Sequence, residues 1–160
     1  MIFEHWIYSA AFAVVFGLFY YRLTGRDYGW IIVASAYAPD IDFVAGSVLG
    51  KVGVTVLFHG SPIEHGDFHN IAFMFLYGVF VGFLLRGAGI RFLDSFIFAS
   101  VGFAAHMFED ALVFNPAYCF LWPFSSQEFG LGLLPYSPDL YGIADTQVLL
   151  IGLFMVALCV

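Results

Sequence analysis

Seven side chains of kinds that bind transition metals fall into short groups in this sequence: His5, Asp40 and Asp42, His65 and His69, His106 and Asp110. His106-Met-Phe-Glu-Asp110 has helical i, i+4 spacing, so both side chains point to one helix face about one turn apart and can chelate one ion or bridge two. Asp40-Ile41-Asp42 follows Pro39, a helix-ending residue, and carboxylates so spaced can share one metal or hold two adjacent ones. The stretch Glu64-His65-Gly66-Asp67-Phe68-His69-Asn70 carries an H-x3-H pair, and neutral imidazole is a common ligand of catalytic transition metals. His5 stands just before Trp6. Each group has a bland reading. Asp-rich turns end helices, a lone histidine at an interface is ordinary, and a polar pair inside a bundle can satisfy itself. Glu4, Glu109, His59, Glu64 and Asp67 are weaker candidates, with Glu109 and Asp42 placed to take or shuttle a proton.

The elements that must position these groups are apolar helices. Of the 160 residues 62% are hydrophobic and 11% charged, with mean hydropathy +0.92, against about 25% charged residues in a soluble domain. So few charges cannot cover a soluble surface, and lipid is the expected solvent. A spanning helix needs roughly 20 apolar residues. The expected architecture is an all-α integral membrane protein: one bundle of about five transmembrane helices, over residues 6–21, 28–44, 69–85, 92–114 and 143–160. A loop is expected over 45–68, with a re-entrant or interfacial piece near 52–58. A long irregular connection containing Pro116, Pro123, Pro135 and Pro138 is expected before the last helix. The first segment has no positive n-region or cleavage pattern and reads as a retained span.

Alternating spans define two sides. Arg22, Arg26, Arg86 and Arg91 fall on one, which is expected to be cytoplasmic. His5, Asp40, Asp42, His65, His69, His106 and Asp110 all fall on the other, at the ends of four separate helices. Ionisable residues at membrane depth are costly and usually functional. A single metal site facing the periplasmic or extracellular side is therefore expected. Trp6, Tyr118, Trp122 and Tyr136 on that side, and Tyr20, Tyr21, Tyr28 and Trp30 on the other, read as aromatic belts. Net charge −7 and the absence of a basic stretch argue against nucleic acid. Cys119 and Cys159 suggest neither a disulfide nor a thiolate site. Nucleophilic serine and nucleotide-binding motifs are absent from the sequence.

The order of these motifs is familiar: His5, then Ala38-Pro39-Asp40-Ile41-Asp42, His65 to Asn70, His106 to Asp110, and Leu121-Trp122-Pro123-Phe124-Ser125 with Phe129-Gly130. The chain resembles the YdjM-type family of membrane-bound metal-dependent hydrolases over most of its length. It departs from the family's usual His-Arg-Gly-x-Thr-His-Ser at the third motif, where Gly66 directly follows His65 and Asn70 replaces serine. The resemblance implies metal-dependent hydrolysis. A looser similarity to zinc-dependent phospholipase C and P1 nuclease points to phosphoesters.

Mixed imidazole and carboxylate ligands suit a divalent transition metal, Zn²⁺ first and Mn²⁺ or Fe²⁺ next, as one or two ions. The expected reaction is attack by metal-activated water on a phosphoester or lipid-like substrate at headgroup level, with membrane lipids as the surroundings. Oligomeric state is left open. Two other expectations compete: a metal-binding sensor or transport-related protein without catalysis, and a structural membrane subunit.

Overall fold

The computed structural model describes residues 4–58, 60–135 and 146–158. His59, Tyr136 and the Glu4 side chain lie outside what it describes. The described residues form six helices and one small hairpin: α1 (Glu4–Thr24), α2 (Gly29–Ala34), α3 (Ile41–Lys51), β1 (Leu57–Phe58), β2 (Ser61–Pro62), α4 (Ile71–Arg86), α5 (Phe92–Val113) and α6 (Thr146–Ala157).

Two helices are long and apolar enough to cross a membrane, His5–Thr24 and Phe92–Val113. At 1.5 Å per residue each reaches about 30 Å, the thickness of the hydrocarbon core. Ile71–Arg86 and Thr146–Ala157 are apolar but shorter. The outer surfaces suit lipid, since Phe19, Leu23, Phe80, Phe83, Leu84, Leu150 and Phe154 are all more than half exposed.

The second expected span differs most. Residues 28–44 are not one helix. α2 is a six-residue helix that ends at Ala34; turns carry the chain through Pro39 and Asp40, and α3 begins at Ile41. Proline disfavours helical geometry in the residue before it, and the four residues 35–38 close in turns instead. Much of the expected loop over 45–68 is also ordered otherwise: α3 runs on to Lys51, and β1 pairs with β2 antiparallel. α3 exposes Ile41, Phe43, Val44 and Val48 along its length.

The core lies where α1, α2, α4 and α5 meet. Phe98 of α5 is fully buried and meets Phe16, Tyr20 and Tyr28 edge-on at ring distances of 5.2, 5.1 and 5.9 Å. Between lipid-embedded helices such packing contacts do the work that hydrophobic exclusion does in water. Gly102 lets α5 press against α2, for a Cβ there would stand 2.7 Å from the Ile32 carbonyl oxygen. α1 also packs along α6.

The segment after α5 is irregular, as its prolines require, yet it is strapped down. Leu131 and Leu134 donate their N–H groups to Ala111 and Leu112 carbonyls, satisfying helix-end acceptors of α5. Ile71 N–H at the start of α4 bonds the Phe120 carbonyl, and Tyr118 bridges to Phe129. These bonds bring Tyr118 beside the helix ends that carry the histidines.

Candidate metal centre

The polar end of the bundle begins with α5. Its i, i+4 pair puts His106 and Asp110 on one face, His106 Nε2 standing 3.4 Å from Asp110 Oδ2. The His106 Nδ1–H donates to the Ala36 carbonyl at 2.6 Å, a group exposed by the break after α2. That bond fixes the ring and directs Nε2 toward Asp40 (3.6 Å) and Asp110. Asp40 stands at the N-terminus of α3 but makes no side-chain capping bond there, so its carboxylate is not consumed by the helix.

The polar run 64–70 divides its labour. Asn70 caps α4, accepting the Phe73 N–H at 3.1 Å and donating to the Asp67 carbonyl. Asp67 holds the preceding turn by accepting the Glu64 N–H. These two shape the chain, and His65 and His69 turn inward from it. His69 is fully buried. Its Nε2 lies 3.4 Å from Asp40 Oδ1 and 3.3 Å from Asp110 Oδ2, and its Nδ1 lies 3.3 Å from Asp42 Oδ2. None of these contacts has hydrogen-bond alignment, so both ring nitrogens are buried without a hydrogen bond. An unsatisfied buried polar atom is expensive, and native folds rarely leave two on one ring.

Asp40, His69, Asp110 and His106 thus form a ring of donors with successive separations of 3.4, 3.3, 3.4 and 3.6 Å. Neighbouring ligands of a tetrahedral ion with bonds of about 2.0–2.1 Å stand about 3.3 Å apart. Buried imidazoles and carboxylates so spaced could hold a metal ion. Among the described residues, three groups of side chains bring one ligand atom each within 4.8 Å of one another: His69, His106 and Asp110; His5, Asp40 and His106; and Asp40, His65 and His69. His5 reaches the site from α1, stacking on His106 with ring centroids 4.3 Å apart. Its Nδ1 lies 3.1 Å from Glu109 Oε2, both groups being buried.

All seven residues expected as ligands therefore meet at one end of the bundle, but they do not stand alike. Asp42 is fully buried and its oxygens are taken. Oδ1 accepts the Phe43 N–H and faces His65 Nδ1 at 3.3 Å; Oδ2 accepts the N–H groups of Gly66 and Phe68 at 2.8 and 3.2 Å. Burial alone would push this carboxyl up, but His65, His69 and the Phe68 N–H outweigh it and hold its pKa well below the usual carboxylate range. Asp42 and Glu109, expected as proton carriers, stand behind His69 and His5 and do not line the cleft. That cleft, of about 370 Å³, is lined by His5, Asp40, Phe43, His65, Asp110, Phe114 and Tyr118.

Tyr118, assigned to an aromatic belt from its position in the chain, is part of the site. Its hydroxyl lies 3.2 Å from His65 Nε2, and its ring lies 4.3 Å from that of His69. Burial, reinforced by Asp110, Asp40 and Asp42, raises its pKa, so the hydroxyl keeps its proton. Only its place on the same side of the bundle could have flagged it. The Asp42 hydrogen bond, outweighing burial, raises His65 above the ordinary imidazole value.

Asp94 carried no signal in the sequence. Near the start of α5 it is fully buried, accepting hydrogen bonds from Tyr20 at 2.8 Å and from Arg91 at 2.6 and 3.0 Å, with Arg26 at 3.8 Å. About three turns of the 22-residue α5 separate it from His106, about 18 Å at 1.5 Å per residue. The arginine-rich and histidine-rich ends of the molecule are therefore opposite.

The family model for the YdjM inner membrane protein matches residues 1–160, the whole chain. The chain belongs to the YdjM inner membrane protein family. No curated protein and no solved structure matches it. For a YdjM inner membrane protein, two apolar helices of membrane-crossing length and a lipid-suited exterior are the physical counterparts of the name.

Proposed function

We propose that this YdjM protein is a membrane-embedded metal-dependent hydrolase, acting on a phosphoester or lipid-like substrate at the periplasmic or extracellular interface. The observation that carries the reading is His69: a fully buried imidazole whose Nε2 has no hydrogen bond and faces two carboxylates at ligand-to-ligand distance. A metal ion satisfies that nitrogen and neutralises Asp40 and Asp110 together.

His69, His106, Asp40 and Asp110 are the holding residues, with His5 completing the set beside Asp40 and His106. Zn²⁺ suits them best, and there it would supply a Lewis acid and a water acidic enough to react at neutral pH. The protein's own groups do the rest. The Ala36 carbonyl accepts from His106 and orients its ring, while Asp42 and Glu109 stand 3.3 and 3.1 Å behind His69 and His5; groups in this position behind a metal-bound histidine raise its basicity. The cleft opens onto Asp40 and Asp110, so a substrate can reach the centre, which a purely structural polar cluster does not require. Phe43 and Phe114 give the mouth apolar walls that suit an amphiphile. The four arginines at the opposite end support a cytoplasmic assignment for that end, and so an outward-facing site.

The test is elemental analysis of purified protein, paired with assays on water-soluble and lipid phosphoesters. Stoichiometric metal and turnover that follows metal content support the reading. Full activity in metal-free protein overturns it.

A further inference from the structure

His65 differs from the other imidazoles of the centre. Its side chain is 48% exposed at the mouth of the cleft, whereas His5, His69 and His106 are buried. Both of its ring nitrogens have protein partners. Nδ1 lies 3.3 Å from Asp42 Oδ1, and Nε2 lies 3.2 Å from the Tyr118 hydroxyl. With the ring neutral, Tyr118 O–H donates to Nε2 and the Nδ1–H donates to Asp42. With the ring protonated, both nitrogens donate and the Tyr118 oxygen accepts. In neither state does a lone pair remain for a metal, and the nearest oxygen of the ligand ring, Asp40 Oδ1, is 3.9 Å away. His69 is the opposite case, with both nitrogens buried and free of hydrogen bonds.

We propose that His65 is not a metal ligand but a positioning residue, the middle of a chain that runs from Tyr118 through His65 and Asp42 to His69. This rests on the metal-centre reading above. When His69 ligates through Nε2, its proton resides on Nδ1, and the oxygen that faces it is Asp42 Oδ2, 3.3 Å away but not aligned for a hydrogen bond until the ring turns. The direction of the Asp42 carboxylate therefore sets the plane of the His69 ring. Two backbone N–H groups hold Oδ2, while Oδ1 is held by Phe43 N–H and by His65. Tyr118 secures His65 by its hydroxyl and His69 by its ring face, so one residue braces both ends of the chain. Gly66 makes room for it. With φ +105° it adopts a backbone that side chains avoid, and a Cβ there would stand 2.6 Å from the Tyr118 ring.

The test uses the full-length protein in detergent micelles loaded with Co²⁺, whose visible spectrum reports its ligands, with affinity read by chelator competition. His65→Gln and Tyr118→Phe are expected to keep wild-type cobalt stoichiometry and band positions. Dissociation constants should rise about 10–100-fold for His65→Gln and less for Tyr118→Phe. The double variant should bind no more weakly than His65→Gln, because the two residues act in one chain. His69→Gln is the control that changes the spectrum. Loss of a cobalt ion or a shifted spectrum in His65→Gln makes His65 a ligand and overturns the proposal, as does unchanged affinity in both single variants. Should His65→Gln fail to fold by circular dichroism, Tyr118→Phe decides alone by the same readings. Wild-type protein that takes up no cobalt removes the metal centre itself, and this chain with it.

Discussion

Nε2 of His69 lies 3.3 Å from Oδ2 of Asp110, where the entry to α4 meets the last turns of α5, and the pair has no hydrogen-bond alignment. That spacing without a bond is what a shared ion leaves between its ligands, and it sets the first expectation. His69→Ala, His106→Ala or Asp110→Ala should each reduce bound metal at least tenfold, with hydrolysis falling in proportion. Elemental analysis beside turnover checks it; a variant that keeps its metal and loses activity would move that residue from ligand to another role.

Chelation should destabilise the fold. Without an ion, Asp40 and Asp110 crowd around His69 and His106 with only imidazoles to balance them. Adding Zn²⁺ at a hundred times its dissociation constant returns about 2.7 kcal/mol by mass action. Thermal unfolding in micelles with and without chelator should show a melting shift of several degrees. No shift at saturating metal would mean that the ion does not bind the native state preferentially.

Asp42→Asn should cost about 2–3 kcal/mol at neutral pH, the worth of hydrogen bonds to a buried charged acceptor. The carboxyl has a native pKa below the ordinary value of 3.8, so its contribution is present above that pH and is lost as the pH falls through the depressed native value. The gap between variant and wild type in urea midpoints should therefore narrow below about pH 4. A gap that widens there would reverse the sign of the argument.

Asp94→Ala probes the other end. Removing the acceptor shared by Tyr20 and Arg91 should cost about 1–2 kcal/mol, reduced because the arginines are partly solvated. Metal content should be unchanged, since the cluster lies far along α5 from His106. A concurrent loss of metal would show that the two ends are coupled.

Much of this protein could be read from residue types. Composition alone named lipid as the solvent, because so few charges cannot clothe a soluble surface. The i, i+4 pair His106 and Asp110 shares a face by helix geometry, but the expected alternation of five spans included 28–44, which is not one helix, so the meeting of the other histidines and aspartates at that end is seen only in the fold. The break after α2 was marked by Pro39, yet its consequence was not: only the fold shows that the turn frees the Ala36 carbonyl to orient His106. Roles within the cluster were also beyond sequence. Asp40 and Asp42 are chemically identical and two residues apart, and what separates them is contact. Asp42 faces the backbone N–H groups of Gly66 and Phe68, while Asp40 faces two imidazoles and the cleft. Tyr118 and Asp94 were invisible for the same reason. A side chain's type limits the chemistry it can do, but which partner it does it with is decided by long-range packing, here a loop strapped onto α5 and a helix end turned toward two arginines.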